Sequence, residues 1–339
     1  MENLPYITTS EGTAGKIRQK PEHFIVEEIP AYPPIGTGSH LFVNITKQNQ
    51  TTKQVQEDIA KQLNMNPLDI SFAGMKDKHA ITTQWFSINL DTTKVTKAEA
   101  INKIDLMKNI KLNSYELHDK KLKPGHLKAN KFTIIISETD KIEQAKETAK
   151  QIEKTGIPNY YGEQRFGVDN DNAEKGKQII QDKLKIREKF QKKLYLNSYQ
   201  SYLCNLYLTE RLNQNLINKI LKGDIAKKTD TGGMFIVEDP ITDQKRMDKK
   251  EITFTAPMFG YKMTQPTHES LEFENKILEK ENITIQNLKK AKLKGTRRQG
   301  IIFPENLEIK KHPKGIQVSF TLRKGSFATI VLREFMKND

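Results

Sequence analysis

Apolar residues recur at every second position in several stretches near the two ends of this chain. In residues 39–47 the side chains of Leu41, Val43 and Ile45 occupy one phase of the alternation, and mostly polar residues occupy the other. Such alternation is typical of a strand with one buried face. From this pattern, or from short apolar runs between turn residues, we predict further strands at 23–29, 70–73, 84–90, 110–117, 132–137 and 315–323.

Helical periodicity dominates the middle of the chain and also occurs nearer the termini. The helix predicted over 51–64 places Val55, Ile59 and Leu63 on one face. Its first residue, a threonine followed three positions later by a glutamine, predicts a capping box. We expect further helices at 140–154, 172–185, 187–195, 197–222, 268–291 and 326–336, the last with Ser326 as N-cap, and strand-like patches at 234–237 and 251–255.

This order of elements favours an α+β fold, because strand character occurs at both ends of the chain with a helical block between them. The length of 339 residues is consistent with two domains. We predict a sheet domain formed by residues 1–158 and 304–339, and a helix-rich domain formed by residues 159–303 that is inserted into it.

The charge of the chain favours an anionic partner. Lysine and arginine total 56 against 42 acidic residues, which gives a net charge of +14, and the pI is near 9.4. A lysine-rich chain can equally reflect the base composition of a genome, so clustering is more informative than the total. Residues 120–131 contain five lysines and no acid, and residues 289–298 contain six basic residues and no acid. We therefore predict two surfaces that neutralise nucleic-acid phosphates.

Several classes of protein find no support in the sequence. The single cysteine, Cys204, excludes an intrachain disulfide and lies in an apolar helical pattern, so we expect a buried, unreactive thiol. No apolar run approaches the roughly 20 residues of a membrane helix, and no signal-peptide pattern is present. The seven histidines lack zinc-binding spacing. We expect a cytoplasmic protein with no membrane partner, no required protein partner and a monomeric state.

Residues 71–87 carry the most distinctive chemistry. A short apolar strand ends at Gly74 and is followed by the charged sequence Lys76, Asp77 and Lys78. A carboxylate between two cations is expected to stay ionised at neutral pH. An ionised aspartate at a strand end is a candidate nucleophile or base. The alternative interpretation is that this charged sequence forms a solvated turn.

The same segment resembles the signature of the TruD family of tRNA pseudouridine synthases. The matching positions are Gly74, Lys76, Asp77, Lys78, Ala80, Thr82, Gln84 and Trp85. Further segments resemble other motifs of this family, in family order: 20–28, Asn130 with Phe132, 159–167, Asn197 with Gln200 and Ser201, Gly223 with Asp224, and 324–334. The departures are Ser39, Ala129 and Tyr161, and none of them removes a reactive group.

The resemblance implies a mixed, largely antiparallel pseudouridine-synthase sheet domain with an inserted, helix-rich TRUD domain. It implies isomerisation of uridine 13 in the D arm of tRNA, without a cofactor or metal because nothing is added or removed. Asp77 would be the catalytic residue, either bonding to the sugar or base of an everted nucleotide or removing the sugar C2′ proton. The residues implied to support it are Lys20 as the neighbouring cation, Asn130, Phe132, Gln164 and Arg165.

The RNA-backbone contacts are predicted from the two basic clusters and from the lysines beside Asp77. They are Lys76, Lys78, Lys120, Lys121, Lys123, Lys128, Lys289, Lys290, Lys292, Arg297 and Arg298. Alternatives stay open at this point. Phe132 could begin a core strand instead of stacking on a base, and residues 159–167 could form a packed turn between domains. The protein could bind or remodel tRNA without catalysis, or act as an N-glycosylase that releases uracil.

Overall fold

The computed structural model describes residues 4–92 and 95–338. Numbered along the chain, its strands are β1 Phe24–Pro30, β2 His40–Gln48, β3 Ile70–Phe72, β4 Ile81–Asn89, β5 Ile110–His118, β6 Leu127–Ser137, β7 Ile157–Pro158, β8 Ile225–Lys228, β9 Met234–Ile236, β10 Ile252–Met258, β11 Thr296–Gln299, β12 Ile301–Ile302, β13 Glu305–His312 and β14 Gly315–Arg323. Its α-helices are α1 Thr52–Leu63, α2 Lys97–Asp105, α3 Ile142–Thr155, α4 Asn172–Ile180, α5 Lys189–Asn213, α6 Pro240–Asp248, α7 His268–Lys280, α8 Ile285–Lys290 and α9 Ala328–Met336.

The chain forms two compact units. The first consists of residues 10–150, 304–328 and 335–338, and the second of residues 4–9, 151–303 and 329–334. The second unit thus takes short segments from both ends of the chain as well as the central block. The outermost positions of the predicted domains, residues 1–3 and 339, lie outside the described residues.

The large sheet of the first unit has the strand order β13-β14-β6-β1-β4-β2-β5, with β3 paired to β4. The β1–β4 pair is parallel, and the other neighbours are antiparallel. Because β14 pairs with β6, strands from the two ends of the chain share one sheet. The predicted α+β class, with a mixed and largely antiparallel sheet, is confirmed.

The core of the first unit follows the predicted periodicities. The alternating side chains of β2 are completely buried at Leu41, Val43 and Ile45, and they belong to one cluster with Val55 and Ile59 of α1. The capping box at the start of α1 is present, with the threonine side chain and the glutamine three residues later each bonded to the other's backbone N–H. One apolar strand face therefore packs on one apolar helix face, which stabilises both elements.

Some elements differ from the sequence predictions. The two helices predicted between 187 and 222 are the single helix α5 followed by turns, and the predicted helix 268–291 is divided into α7 and α8. Helix α9 begins at Ala328, so Ser326 lies two residues before its first turn. Strand β13 was not predicted, because it is a largely exposed, polar edge strand without clear apolar alternation.

The second unit is built around α5 and a sheet with the order β11-β10-β8-β9. Cys204 on α5 is buried and free, as predicted, and burial raises the pKa of its thiol to about 11. Arg211 near the end of the same helix is fully buried, and its guanidinium pairs with Asp224 at 3.0 Å. It also donates to the Tyr207 hydroxyl at 2.8 Å. Among the described residues, no helix is long and apolar enough to cross a membrane.

Replacement of Arg211 by leucine should destabilise the second unit strongly. The substitution leaves the buried Asp224 carboxylate without its cation, and loss of one partner of a buried pair costs about 3–5 kcal/mol. Urea denaturation would measure the change. The matched control is Lys280→Met, which removes a more exposed pair with Glu210 and should change the free energy of unfolding by less than about 1 kcal/mol. Equal effects of the two substitutions would contradict a structural role for the buried pair.

Candidate active site

Asp77 lies in the loop between β3 and β4, and this loop is fixed to the sheet and to α1 on either side. The Gln84 side chain donates from Nε2 to the carbonyl oxygen of Gly74 at 3.1 Å. The backbone N–H of Lys76 donates to the Thr52 hydroxyl at 2.9 Å, and this hydroxyl donates in turn to the Gln84 side-chain oxygen at 2.8 Å. The loop geometry is therefore set by hydrogen bonds from two separate elements.

A buried lysine supports Asp77 itself from the sheet. Lys47 lies on β2 opposite Thr82 of β4 and is only 1% exposed. Its ammonium donates to the backbone carbonyl of Asp77 at 3.1 Å and to that of Gln50 at 2.5 Å. Burial lowers the pKa of Lys47 to about 8; the Asp77 carboxylate opposes this shift, and the charge of Lys76 adds to it.

The cation that pairs with Asp77 is Arg18. Its Nη2 lies 3.3 Å from Asp77 Oδ2, with side chains 23% and 43% exposed, and its guanidinium lies 4.3 Å from the centre of the Phe24 ring. The prediction of Lys20 in this place is corrected. Lys20 is exposed and extended before Pro21, and no ion pair joins it to Asp77 in the described part of the chain.

Lys76 is buried beside the loop and joins two residues of neighbouring strands. Its ammonium lies 2.7 Å from a carboxylate oxygen of Glu28 on β1, and the two side chains are 5% and 1% exposed. It also donates to Oδ1 of Asn130 on β6 at 2.7 Å. The prediction that Lys76 contacts the RNA backbone is therefore corrected, since a side chain this buried is not accessible to phosphate.

Phe132 lies on the same face of β6 as Asn130, two residues further along the strand. Its ring stacks on Phe320 of β14, with centroids 5.4 Å apart, and meets the edge of Phe24 at 6.4 Å. It is 8% exposed. The ring thus contributes to the core of this face, as the alternative interpretation expected, and a contact with a base remains a proposal.

The predicted phosphate-binding lysines of the first unit lie on its surface. Lys78 directly follows Asp77 and is exposed, as are Lys120, Lys123 and Lys128. Lys121 is half-buried and donates to the backbone carbonyl of Leu68 at 2.8 Å. The exposed lysines therefore have side chains accessible to an anionic ligand.

The basic cluster of the second unit is largely used within the fold. Arg297 is buried and paired with Glu274, so its prediction as an RNA contact is corrected. The guanidinium of Arg298 lies 3.9 Å from the centre of the Tyr161 ring. Lys290 pairs with Asp182. Lys289 and Lys292 are exposed.

Gln164 and Arg165 belong to the second unit, in the 3₁₀ turn Glu163–Phe166. Gln164 is exposed, whereas Arg165 donates from Nε to the Ser201 hydroxyl of α5 at 2.9 Å. The turn before them is packed, since Tyr160 is 1% exposed. This agrees with the interpretation of the segment as a packed turn.

Two functional candidates escaped the sequence analysis although a signal was present. Lys47 occupies the same inward phase of β2 as the three buried apolar residues before it. Glu28 is in phase with Phe24 and Val26, the buried residues of β1. A charged residue in the apolar phase of a strand must be paired inside the fold, which makes it a candidate for a site. Arg18 carried no comparable signal.

The fold and this site define an enzyme that modifies RNA, and comparison with known proteins identifies its family. The family model of tRNA pseudouridine synthase D (TruD) matches residues 1–192 and 184–335, and the chain belongs to this family. The predicted family and the enzyme class, an RNA isomerase, are thereby confirmed.

Individual relatives are similar over nearly their whole length. The tRNA pseudouridine synthase D of an Anaeromyxobacter species is 34% identical over 348 residues, covering 99% of this chain and 97% of the relative. That of Thermus thermophilus is 35% identical over 338 residues, covering 99% and 93%. The crystal structure of a putative tRNA pseudouridine synthase D from Methanosarcina mazei has a TM-score of 0.81 at 25% identity, covering 99% of this chain and 96% of the other.

Replacement of Lys47 by methionine should flatten the pH dependence of stability. Burial holds the pKa of Lys47 at about 8, below its ordinary value of 10.5. Between these values the unfolded chain binds more protons than the folded one, so the contribution of this group to the free energy of unfolding rises with pH. Urea denaturation at pH values from about 7 to about 10 should show the wild type gaining stability relative to Lys47→Met. A constant difference over this range would contradict the lowered pKa.

Proposed function

We propose that this protein isomerises uridine 13 of tRNA to pseudouridine, with Asp77 as the catalytic carboxylate. The observation that carries the proposal is an accessible aspartate in a loop whose backbone is held by the buried Lys47 ammonium. Fixed placement of a reacting group is a large part of catalytic power. The choice of uridine 13 follows from the resemblance of residues 71–87 and the other motifs to the TruD family.

The reaction breaks the bond between N1 of uracil and C1′ of the ribose, turns the base, and joins C5 to C1′. The C5 proton is lost and N1 gains a proton, so the overall composition does not change. Asp77 acts either by bonding to the sugar or base, or by removing the C2′ proton. In each case its carboxylate must reach a nucleotide that has left its stack, which agrees with its exposure of 43%.

Binding of the tRNA is assigned to the exposed lysines of the first unit. Lys78 lies next to Asp77 in the loop, and Lys120, Lys123 and Lys128 belong to the acid-free segment 120–131. Phosphate neutralisation by such side chains supplies affinity that falls with salt concentration. Catalysis and binding thereby depend on different residues, which allows them to be tested separately.

Replacement of Asp77 by asparagine should abolish turnover and leave tRNA affinity nearly intact. The amide keeps the shape of the side chain but cannot act as a nucleophile or base, so we expect less than about one-thousandth of the wild-type rate. Single-turnover assays and filter binding would measure rate and affinity. Asp105→Asn, at an exposed position on α2, is the matched control. Substantial pseudouridine formation by Asp77→Asn would refute the assignment.

The reaction product distinguishes the proposal from its alternatives. Unmodified tRNA transcripts would be incubated with the protein, and new pseudouridines mapped by carbodiimide adducts and primer extension. We expect one modification at uridine 13 and no free uracil. Release of uracil would indicate an N-glycosylase, and binding without any modification would indicate a non-catalytic tRNA-binding protein.

Replacement of Lys120, Lys123 and Lys128 by glutamine should weaken tRNA binding and reduce its salt dependence. Each lost phosphate contact lowers the slope of log affinity against log salt by about 1. The rate at saturating tRNA should stay close to that of the wild type. Binding between about 50 and about 300 mM salt would measure the slope. An unchanged slope would show that this segment does not contact the RNA backbone.

A further inference from the structure

The side-chain amide of Asn130 has a defined orientation, because its neighbour can only donate hydrogen bonds. The Lys76 ammonium lies 2.7 Å from the atom assigned as Oδ1, and an ammonium has no acceptor. If the amide were reversed, its NH₂ group would face the ammonium, which is unfavourable. The carbonyl of Asn130 therefore faces Lys76, and its NH₂ group faces away.

The ammonium that orients Asn130 is itself held in place. It lies 2.7 Å from a carboxylate oxygen of Glu28, and the other oxygen of this carboxylate accepts from the backbone N–H of Trp85 at 3.3 Å. Glu28 and Asn130 are paired residues on adjacent strands. A buried, paired lysine of this kind does not rotate freely, so the orientation of the amide is preset.

The NH₂ group of Asn130 is left for a ligand. Within residues 4–92 and 95–338 it has no hydrogen-bond acceptor, and the residue is half-buried on the same sheet face as Phe132. Lys76, which fixes this donor, is the direct neighbour of Asp77 in the chain. A ligand that reaches both the donor and the carboxylate must therefore present a hydrogen-bond acceptor.

We propose that the Asn130 amide donates a hydrogen bond to a carbonyl oxygen of the everted uracil, and that Lys76 is the positioning residue that fixes this donor. The inference rests on the proposed function. Uracil presents two carbonyl oxygens, O2 and O4, whereas cytosine carries an amino group at position 4. If O4 is the partner, the fixed donor also selects uracil over cytosine, because two donors would then face each other.

Thiouridine substrates test this hydrogen bond directly. Transcripts would carry uridine, 2-thiouridine or 4-thiouridine at the modified position, and sulfur is a weaker acceptor than oxygen. We expect the wild type to react about tenfold more slowly with one of the two thiouridines, as loss of one hydrogen bond predicts. The position of the slow substrate identifies the oxygen.

Variants of Asn130 show whether the amide is the donor. Asn130→Asp keeps the size of the side chain and its contact with Lys76 but removes the NH₂ group, and Asn130→Ala removes both. Both variants should react slowly with uridine and lose the discrimination between uridine and thiouridine. Lys76→Met should also reduce the discrimination, because the amide is no longer oriented. Lys103→Met, at an exposed position on α2, should behave as the wild type.

The outcomes separate the inference from the proposed function. A tenfold discrimination that persists in Asn130→Asp and Asn130→Ala would overturn the inference while leaving the proposed function intact. Equal rates of the wild type with all three substrates would overturn it too. A wild type that forms no pseudouridine from the uridine transcript would refute both. If Lys76→Met fails to fold in thermal denaturation, the two Asn130 variants decide the question.

Discussion

Two buried ammonium groups under the loop of Asp77 are the interactions on which the site depends. Lys47 donates to the backbone carbonyl of Asp77 itself, and Lys76 joins Glu28 to Asn130. An ammonium inside a protein is costly unless its hydrogen bonds are satisfied, and removing one of its partners is strongly unfavourable. These contacts therefore resist rearrangement, and the loop has its geometry before any RNA is bound.

The carboxylate of Asp77 is held far less tightly than its backbone. Its pair with Arg18 spans 3.3 Å between partly exposed side chains, and exposed pairs contribute only about 0–1 kcal/mol. A nucleotide can displace Arg18 from the carboxylate at small cost, whereas the backbone held by Lys47 stays in place. A fixed loop with a loosely paired carboxylate suits a group that must meet its substrate and then act on it.

The sequence predicted the elements of the sheet domain well where burial is one-sided. Strand β2 and helix α1 have the expected inward residues, and β14 buries the alternating positions from Ile316 to Leu322. The prediction was poorer where charge had to be interpreted. Arg297 was counted toward an RNA-binding surface, but its guanidinium is buried against Glu274. Arginine clusters thus contain structural members that net charge does not reveal.

The sequence by itself determined the family, the arrangement of strands around a helical block, and Asp77 as the residue of interest, because motif spacing and hydrophobic period are properties of short stretches of chain. Only the tertiary structure decided that Arg18 rather than Lys20 pairs with Asp77, and that Lys47 supports it. Arg18 and Asp77 are 59 positions apart, and Lys47 and Asp77 are 30 apart. Such contacts depend on strand register and loop geometry, which bring distant charged groups together inside the fold.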